Sequence, residues 1–117
     1  MLIEDDAIML SLLINLLEFE GFDVSQLGKD ADLENVVNSI RADSPDLLLV
    51  DVHLGNFSGF DLLNRIQRDG LPNSPKVLMT SGMELSHQCY EAGADGFILK
   101  PYMPDDLVGK IRNILGS

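Results

Sequence analysis

Read for the alternation of apolar and polar positions, the chain divides into ten segments. The first, Met1 to Glu4, is a short apolar stub that runs into three consecutive acids, Glu4, Asp5 and Asp6. From Ala7 to Phe19 the only polar positions are Ser11, Asn15 and Glu18, which form one narrow stripe on a helix. The rest of that helix is apolar, more than one face of a sheet needs. Either it is unusually buried or part of it serves as a partner surface. Gly21 ends it, and Phe22 to Leu27 alternates as a second strand. Leu33, Val36, Val37 and Ile40 repeat at helical spacing and predict a second amphipathic helix, which Ser44-Pro45 breaks.

Leu47 to Asp51 (LLLVD) follows, four apolar residues between Asp46 and Asp51, which predicts a strand buried on both faces of a parallel sheet. Ser58 and Asp61 are spaced as a capping box and open a third helix with Leu62, Leu63 and Ile66 inward. Asp69-Gly70-Leu71-Pro72 stops it. Lys76 to Ser81 (KVLMTS) is a fourth buried strand, followed by Gly82. A weaker helix spans Glu84 to Ala92, with Leu85, Cys89 and Ala92 as its apolar side. Gly96 to Leu99 is a fifth strand, ending at Lys100-Pro101. The last helix, Pro104 to Leu115, carries Leu107, Val108, Ile111, Ile114 and Leu115 on one stripe, with Pro104 where a first turn tolerates it. Five strands alternating with five helices predict an α/β fold, a parallel sheet with helices on both faces, because each crossover is right-handed.

Composition adds limits. A chain of 117 residues reads as one domain, residues 1–117, large enough to bury a core without metal or disulfide support. The longest nearly apolar run, Ala7 to Leu17, is too short to span a bilayer, and no charged segment with a cleavage site precedes it. The single Cys89 forms no internal disulfide, which suits a reducing cytoplasm. With 19 acidic against 8 basic side chains the net charge is −11, a surface that repels phosphate backbones, so direct nucleic-acid binding is not expected.

The chemistry-bearing residues fall at the carboxyl ends of the predicted strands, where open α/β sheets bind ligands. Glu4 and Asp5 follow the first strand, Asp51 ends the third, Ser81 ends the fourth, and Lys100-Pro101 follows the fifth. Three carboxylates in one crevice repel each other unless a cation neutralises them, and oxygen ligands suit a hard, hydrated ion, Mg²⁺ above all. A lysine and a hydroxyl beside them supply donors to phosphoryl oxygens. The set is suited to placing a phosphoryl group on a carboxylate. Thr80 precedes Ser81 and, by alternation, is expected to face away from it, so Ser81 is taken as the site hydroxyl. Asp6 is read as a surface acid or helix cap, His87 as surface and Cys89 as core.

In these residues the chain resembles the response-regulator receiver domain of two-component signalling. The motif residues are Glu4-Asp5, Asp51 at the end of LLLVD, Gly59, Ser81, Phe97 and Lys100-Pro101, and the resemblance covers essentially the whole length. It implies the flavodoxin-like doubly wound sheet of strand order 2-1-3-4-5. It implies Asp51 as phosphoacceptor, taking the group from phosphohistidine on a histidine kinase or phosphotransfer protein. Asp5 would ligate Mg²⁺ directly, Glu4 through water, and the backbone carbonyl of His53 would join Asp51 in completing the set. Ser81 would hydrogen-bond the phosphoryl group, Lys100 would pair with another of its oxygens, and the Lys100-Pro101 peptide would be cis. Phe97 would be the switch aromatic, turning inward when Ser81 is drawn to the phosphate and shifting the face of the fourth helix, fifth strand and fifth helix for an output domain or target protein. Such a chain catalyses only its own phosphorylation and dephosphorylation.

Three features depart from the family pattern. Gly55 stands where a proline often follows the phosphoacceptor, Met103 holds the capping position before Pro104, and the first strand lacks the residues that normally precede it. Among rivals, an aspartyl-nucleophile phosphatase would want a second carboxylate where His53 stands, and a flavin protein would want a phosphate-cradling loop where Glu4-Asp5-Asp6 stands. A receiver-like interaction module that is never phosphorylated predicts loss of site residues, and all are present.

Overall fold

Five parallel strands pair in the order β2-β1-β3-β4-β5: β1 is Leu2–Ile3, β2 Gln26–Leu27, β3 Leu47–Asp51, β4 Lys76–Ser81 and β5 Gly96–Leu99. The computed structural model describes all residues except Asp5, Gly28, Lys29, Asp30, Pro72, Asn73 and Ser117. The Pro72 end of the third helix's stop signal therefore lies outside the described residues. Strand alternation divides the core in two. Leu2, Leu49, Leu78 and Ile98 pack against α1 (Ala7–Phe19) and α5 (Pro104–Leu115). Ile3, Val50, Met79 and Phe97 pack against α2 (Leu33–Asp43), α3 (Gly59–Asp69) and α4 (Ser86–Glu91).

Local sequence accounts for most helix ends. Asp6 caps α1, accepting from the Ile8 and Met9 amides. Ser58 and Asp61 form the reciprocal capping box of α3, and Gly70 closes that helix at a φ of 59°. Met103, with no side-chain oxygen, occupies the α5 cap without a capping hydrogen bond.

The differences from the sequence reading have physical causes. The second strand was expected over Phe22–Leu27, but only Gln26–Leu27 join a ladder, because the partner β1 is itself two residues long. Phe22 and Val24 still pack into the core. The fourth helix is shorter than expected: the Glu84 carboxylate accepts from the Ser86 amide before α4 begins, and Gly93 ends it at a φ of 104°. On α5 the buried stripe is Leu107, Val108 and Ile111, while Leu115 at the last turn is exposed. Helix α1 is not unusually buried. It buries Leu13 and Leu17, whereas Ile8, Leu12 and Phe19 are 75%, 61% and 88% exposed.

Candidate functional site

Glu4 leaves the end of β1 and Asp51 the end of β3, and both are buried, at 6% and 7% exposure. Lys100, next after β5, places its Nζ 2.5 Å from Asp51 Oδ2 and 3.4 Å from Glu4 Oε2. The other oxygen of each carboxylate is held by main chain: Asp51 Oδ1 accepts from the His53 amide at 2.9 Å, and Glu4 Oε1 from the Asp6 amide at 3.1 Å. Burial pushes the Glu4 carboxyl above its ordinary value, with the Asp6 amide and Lys100 opposing. Burial pulls Lys100 down, but the hydrogen bond and charge of Asp51, together with Glu4, outweigh it and hold the ammonium above the usual lysine value.

Backbone contacts at the strand ends keep this arrangement in place. The Val52 amide donates to the Thr80 carbonyl at 2.9 Å and the Lys100 amide to the Ser81 carbonyl at 2.8 Å. The Lys100-Pro101 peptide is cis. Gly59, the first residue of α3, donates to the Val52 carbonyl, and a Cβ there would stand 2.9 Å from the Asp51 carbonyl oxygen and 2.8 Å from Met79 Cε. Only glycine lets α3 start this close to the Asp51 backbone.

Thr80 and Ser81 are successive residues of β4 and so leave the strand on opposite faces, as the sequence implies. The β3–β4 ladder pairs Asp51 with Thr80, and the β4–β5 ladder pairs Thr80 with Ile98. Thr80 shares the register position of Asp51, two residues beyond Leu78 as Asp51 is beyond Leu49, which puts both on the α1/α5 side of the sheet. Ser81, two beyond Met79, leaves on the other face, the one that also buries Phe97. Sequence alternation places Thr80 and Ser81 on opposite faces but cannot say which is the Asp51 face; that depends on the β3–β4 register. Thr80 Oγ1 is buried without a hydrogen-bond partner. Ser81 Oγ accepts from the Met83 amide at 3.0 Å, which leaves its O–H as a donor.

A residue that the sequence did not point to is Tyr102. It lies beside Lys100, its hydroxyl is buried without a partner, and burial pushes its ionisation up. Phe97 is buried in the core against the α2–α4 face. The His53 side chain is exposed at the entrance, His87 is exposed and 3.0 Å from Glu91, and Cys89 is fully buried.

Asp5 lies outside the described residues, and among the described residues no group of three or more His, Cys, Asp or Glu side chains is gathered to hold a metal. What is present is a donor set made of oxygen: two buried carboxylates facing a single ammonium, an arrangement that fits a hard divalent cation. Beside the site an apolar groove of about 590 Å³ runs between α1 and the segment after β5, lined by Met9, Leu12, Leu16, Lys100, Tyr102 and Pro104. Among the described residues no helix is long and apolar enough to cross a membrane.

A family model for the response regulator receiver domain matches residues 1–112. The chain is 31% identical over 114 residues to the DNA-binding response regulator MtrA of Mycobacterium tuberculosis, covering 96% of this chain and 48% of that protein. It is 30% identical over 118 residues to the phosphate regulon transcriptional regulatory protein PhoB of Escherichia coli, covering 98% of this chain and 50% of that protein. The chain thus spans about half the length of these curated relatives. Among solved structures, a putative response regulator from Chloroflexus aurantiacus matches with a TM-score of 0.85 at 30% identity, covering 97% of this chain and 94% of that one. A CheY-like receiver domain protein from Methanospirillum hungatei matches with a TM-score of 0.82 at 32% identity, covering 97% and 90%.

Proposed function

This chain belongs to the response-regulator receiver family of two-component systems, and from that premise we propose that it accepts a phosphoryl group from phosphohistidine onto Asp51. An Asp51 carboxylate oxygen forms the new bond to phosphorus, the nitrogen–phosphorus bond of the donor breaks, and the imidazole leaves. The observation that carries this reading is the Lys100 ammonium held 2.5 Å from Asp51 Oδ2, at the carboxyl end of the third strand. It sits where a donor to a phosphoryl oxygen is needed once Asp51 is esterified.

The other residues take roles around that pair. Asp51, Asp5, the His53 carbonyl and Glu4 would hold Mg²⁺, which would supply charge neutralisation between the carboxylate and the incoming anion. The Ser81 hydroxyl, whose oxygen accepts from the Met83 amide and whose O–H can still donate, hydrogen-bonds the phosphoryl group, and the buried Thr80 hydroxyl, level with Asp51 in the ladder, is the rival donor. Phe97, on the face of Ser81, is the aromatic through which α4, β5 and α5 respond. The chain acts on itself alone, catalysing its own phosphorylation and dephosphorylation.

The donor we propose is a histidine kinase or a histidine phosphotransfer protein whose helical bundle lies along α1. The exposed Ile8 and Leu12 and the adjoining apolar groove support this, because Lys100 is among the residues that line the groove. Downstream partners are an output domain or a separate target protein. Cytoplasmic chemistry fits the reduced, buried Cys89. Intact mass after incubation with acetyl phosphate tests the central claim. A single adduct that requires both Mg²⁺ and Asp51, and is absent in Asp51→Asn, is expected. A folded protein that takes no adduct under any condition would overturn it in favour of an interaction module.

A further inference from the structure

His53 meets Asp51 through its amide, which donates to Asp51 Oδ1 at 2.9 Å. Its carbonyl belongs to the next peptide plane, so the direction of that oxygen is set by the loop that follows. This loop, residues 53–58, joins β3 to α3. Its base is closed by an antiparallel bridge between His53 and Ser58 and by the Gly59 amide on the Val52 carbonyl at 2.8 Å. Leu54 and Phe57 are half-buried against the core, whereas Gly55 and Asn56 at the tip are exposed. Gly55, without a Cβ, leaves the backbone at the tip free to turn.

Asn56 restrains that freedom. Its side-chain amide donates to the carbonyl of Ala31, the residue before the cap of α2, at 3.3 Å. Ala31 is a firm point of attachment. It packs on the core, and its neighbour Asp32 caps α2 by accepting from the Asn35 amide at 2.8 Å. Two residues further on, Glu34 is held by Arg65 of α3, with Arg65 Nη2 3.0 Å from Glu34 Oε2. Arg65 is anchored in turn by Asp69 at 3.1 Å. The strap therefore closes on itself: it leaves the loop at Asn56, passes through the start of α2 and returns at Arg65 to the helix that the loop opens.

We propose that Asn56 is a positioning residue for the divalent cation, holding the β3–α3 loop in the shape that presents the His53 carbonyl as a ligand. The inference rests on the receiver reading for the ligand set and adds the residue that tunes its affinity. Asn56 touches neither the cation nor the phosphoryl group. It acts through the loop, so it sets the Mg²⁺ concentration at which the site fills and leaves the transfer step alone once the site is full.

Two measurements on the full chain decide it, with Asn56→Ala and Asn56→Gln beside the wild type. The first has no phosphodonor: the rise of the melting temperature with added Mg²⁺ gives the half-saturating concentration. The second follows the rate of adduct formation with acetyl phosphate against Mg²⁺. Asn56 is exposed, so its variants fold and melt as the wild type does without metal. The loss of one net hydrogen bond corresponds to about fivefold. Asn56→Ala is expected to raise the half-saturating Mg²⁺ by that factor in both measurements and to leave the rate at saturating Mg²⁺ unchanged. Asn56→Gln keeps an amide donor on a longer arm and is expected to recover most of the loss. An unchanged half-saturating concentration in Asn56→Ala overturns the proposal, whatever happens to the metal-free melting temperature or to the saturated rate. Asn56→Gln behaving like Asn56→Ala also overturns it, because the amide would then not be the group that matters. Failure of the receiver reading would appear separately, as a wild type that takes no adduct and is not stabilised by Mg²⁺.

Discussion

Lys100 Nζ stands 2.5 Å from Asp51 Oδ2 and is the one cation within ion-pair reach of the buried carboxylates Asp51 and Glu4 among the described residues. Removing it leaves two negative charges facing each other away from bulk water. Lys100→Met is therefore expected to lower unfolding free energy by about 1–3 kcal/mol in the absence of divalent cation, less than a fully buried pair would lose because the lysine is partly exposed. Because the folded state holds the Lys100 ammonium above its ordinary value, the wild type keeps this advantage below pH 10.5 and loses it as pH rises through the raised value. Urea unfolding at pH 7 and at rising alkaline pH checks both; equal stability of the two proteins at pH 7 would refute the account.

Glu4 carries the opposite sign. Burial raises its carboxyl above 4.5, so protonation favours the folded state, and ionised Glu4 is a cost at neutral pH. Glu4→Gln, which stays neutral, should be more stable than wild type at pH 7 without added metal. The gap should close as pH falls through the raised Glu4 value. Thermal melts from pH 7 to pH 4 read this directly, and addition of Mg²⁺ should stabilise the wild type more than the variant.

The two neighbouring hydroxyls should separate cleanly. Thr80→Val removes a buried oxygen that has no partner and keeps the shape, so unfolding free energy should be unchanged or raised by up to about 1 kcal/mol, and adduct formation with acetyl phosphate should be unchanged. Ser81→Ala strips the Met83 amide of its acceptor and should cost about 1 kcal/mol, and it should slow adduct formation. If Thr80→Val slowed adduct formation and Ser81→Ala did not, the site hydroxyl would be Thr80 instead.

The same reasoning applies to Tyr102, whose hydroxyl is buried with no partner. Tyr102→Phe should stabilise the protein by about 1 kcal/mol at neutral pH. Burial raises the phenol's ionisation above 10, so the wild type loses stability as pH rises through that raised value, and the variant should lack that alkaline loss.

Much of this is legible in the sequence. The run Leu47 to Asp51, the capping box at Ser58 and Asp61, and the periodicity of Val36, Val37 and Ile40 each encode a local rule that the tertiary structure does not override. What escaped the sequence was relational. Alternation separates Thr80 from Ser81, but only the β3–β4 register places Thr80 beside Asp51. The truncated ladder at Gln26–Leu27 follows from the length of its partner, not from its own residues. Tyr102 gives no periodic signal, and its significance lies in the burial of one atom beside Lys100.

Exposure on α1 leads to the last expectation. Ile8 and Leu12 stand one turn apart on the solvent face of the helix that borders the Lys100 groove, and burying such side chains against a partner is worth about 1.5–3 kcal/mol each. A small donor such as acetyl phosphate reaches Asp51 without touching α1, whereas a helical bundle carrying phosphohistidine must lie across it. Leu12→Asp and Ile8→Asp should therefore leave labelling by acetyl phosphate unchanged and slow transfer from the cognate phosphohistidine protein at least tenfold. The α1 residues do not touch the reacting atoms, so a fall in both rates would mean that the substitutions disturb the site itself. Unchanged transfer from the protein donor would place its docking surface elsewhere, and would leave the apolar stripe from Ile8 to Phe19 to some other partner.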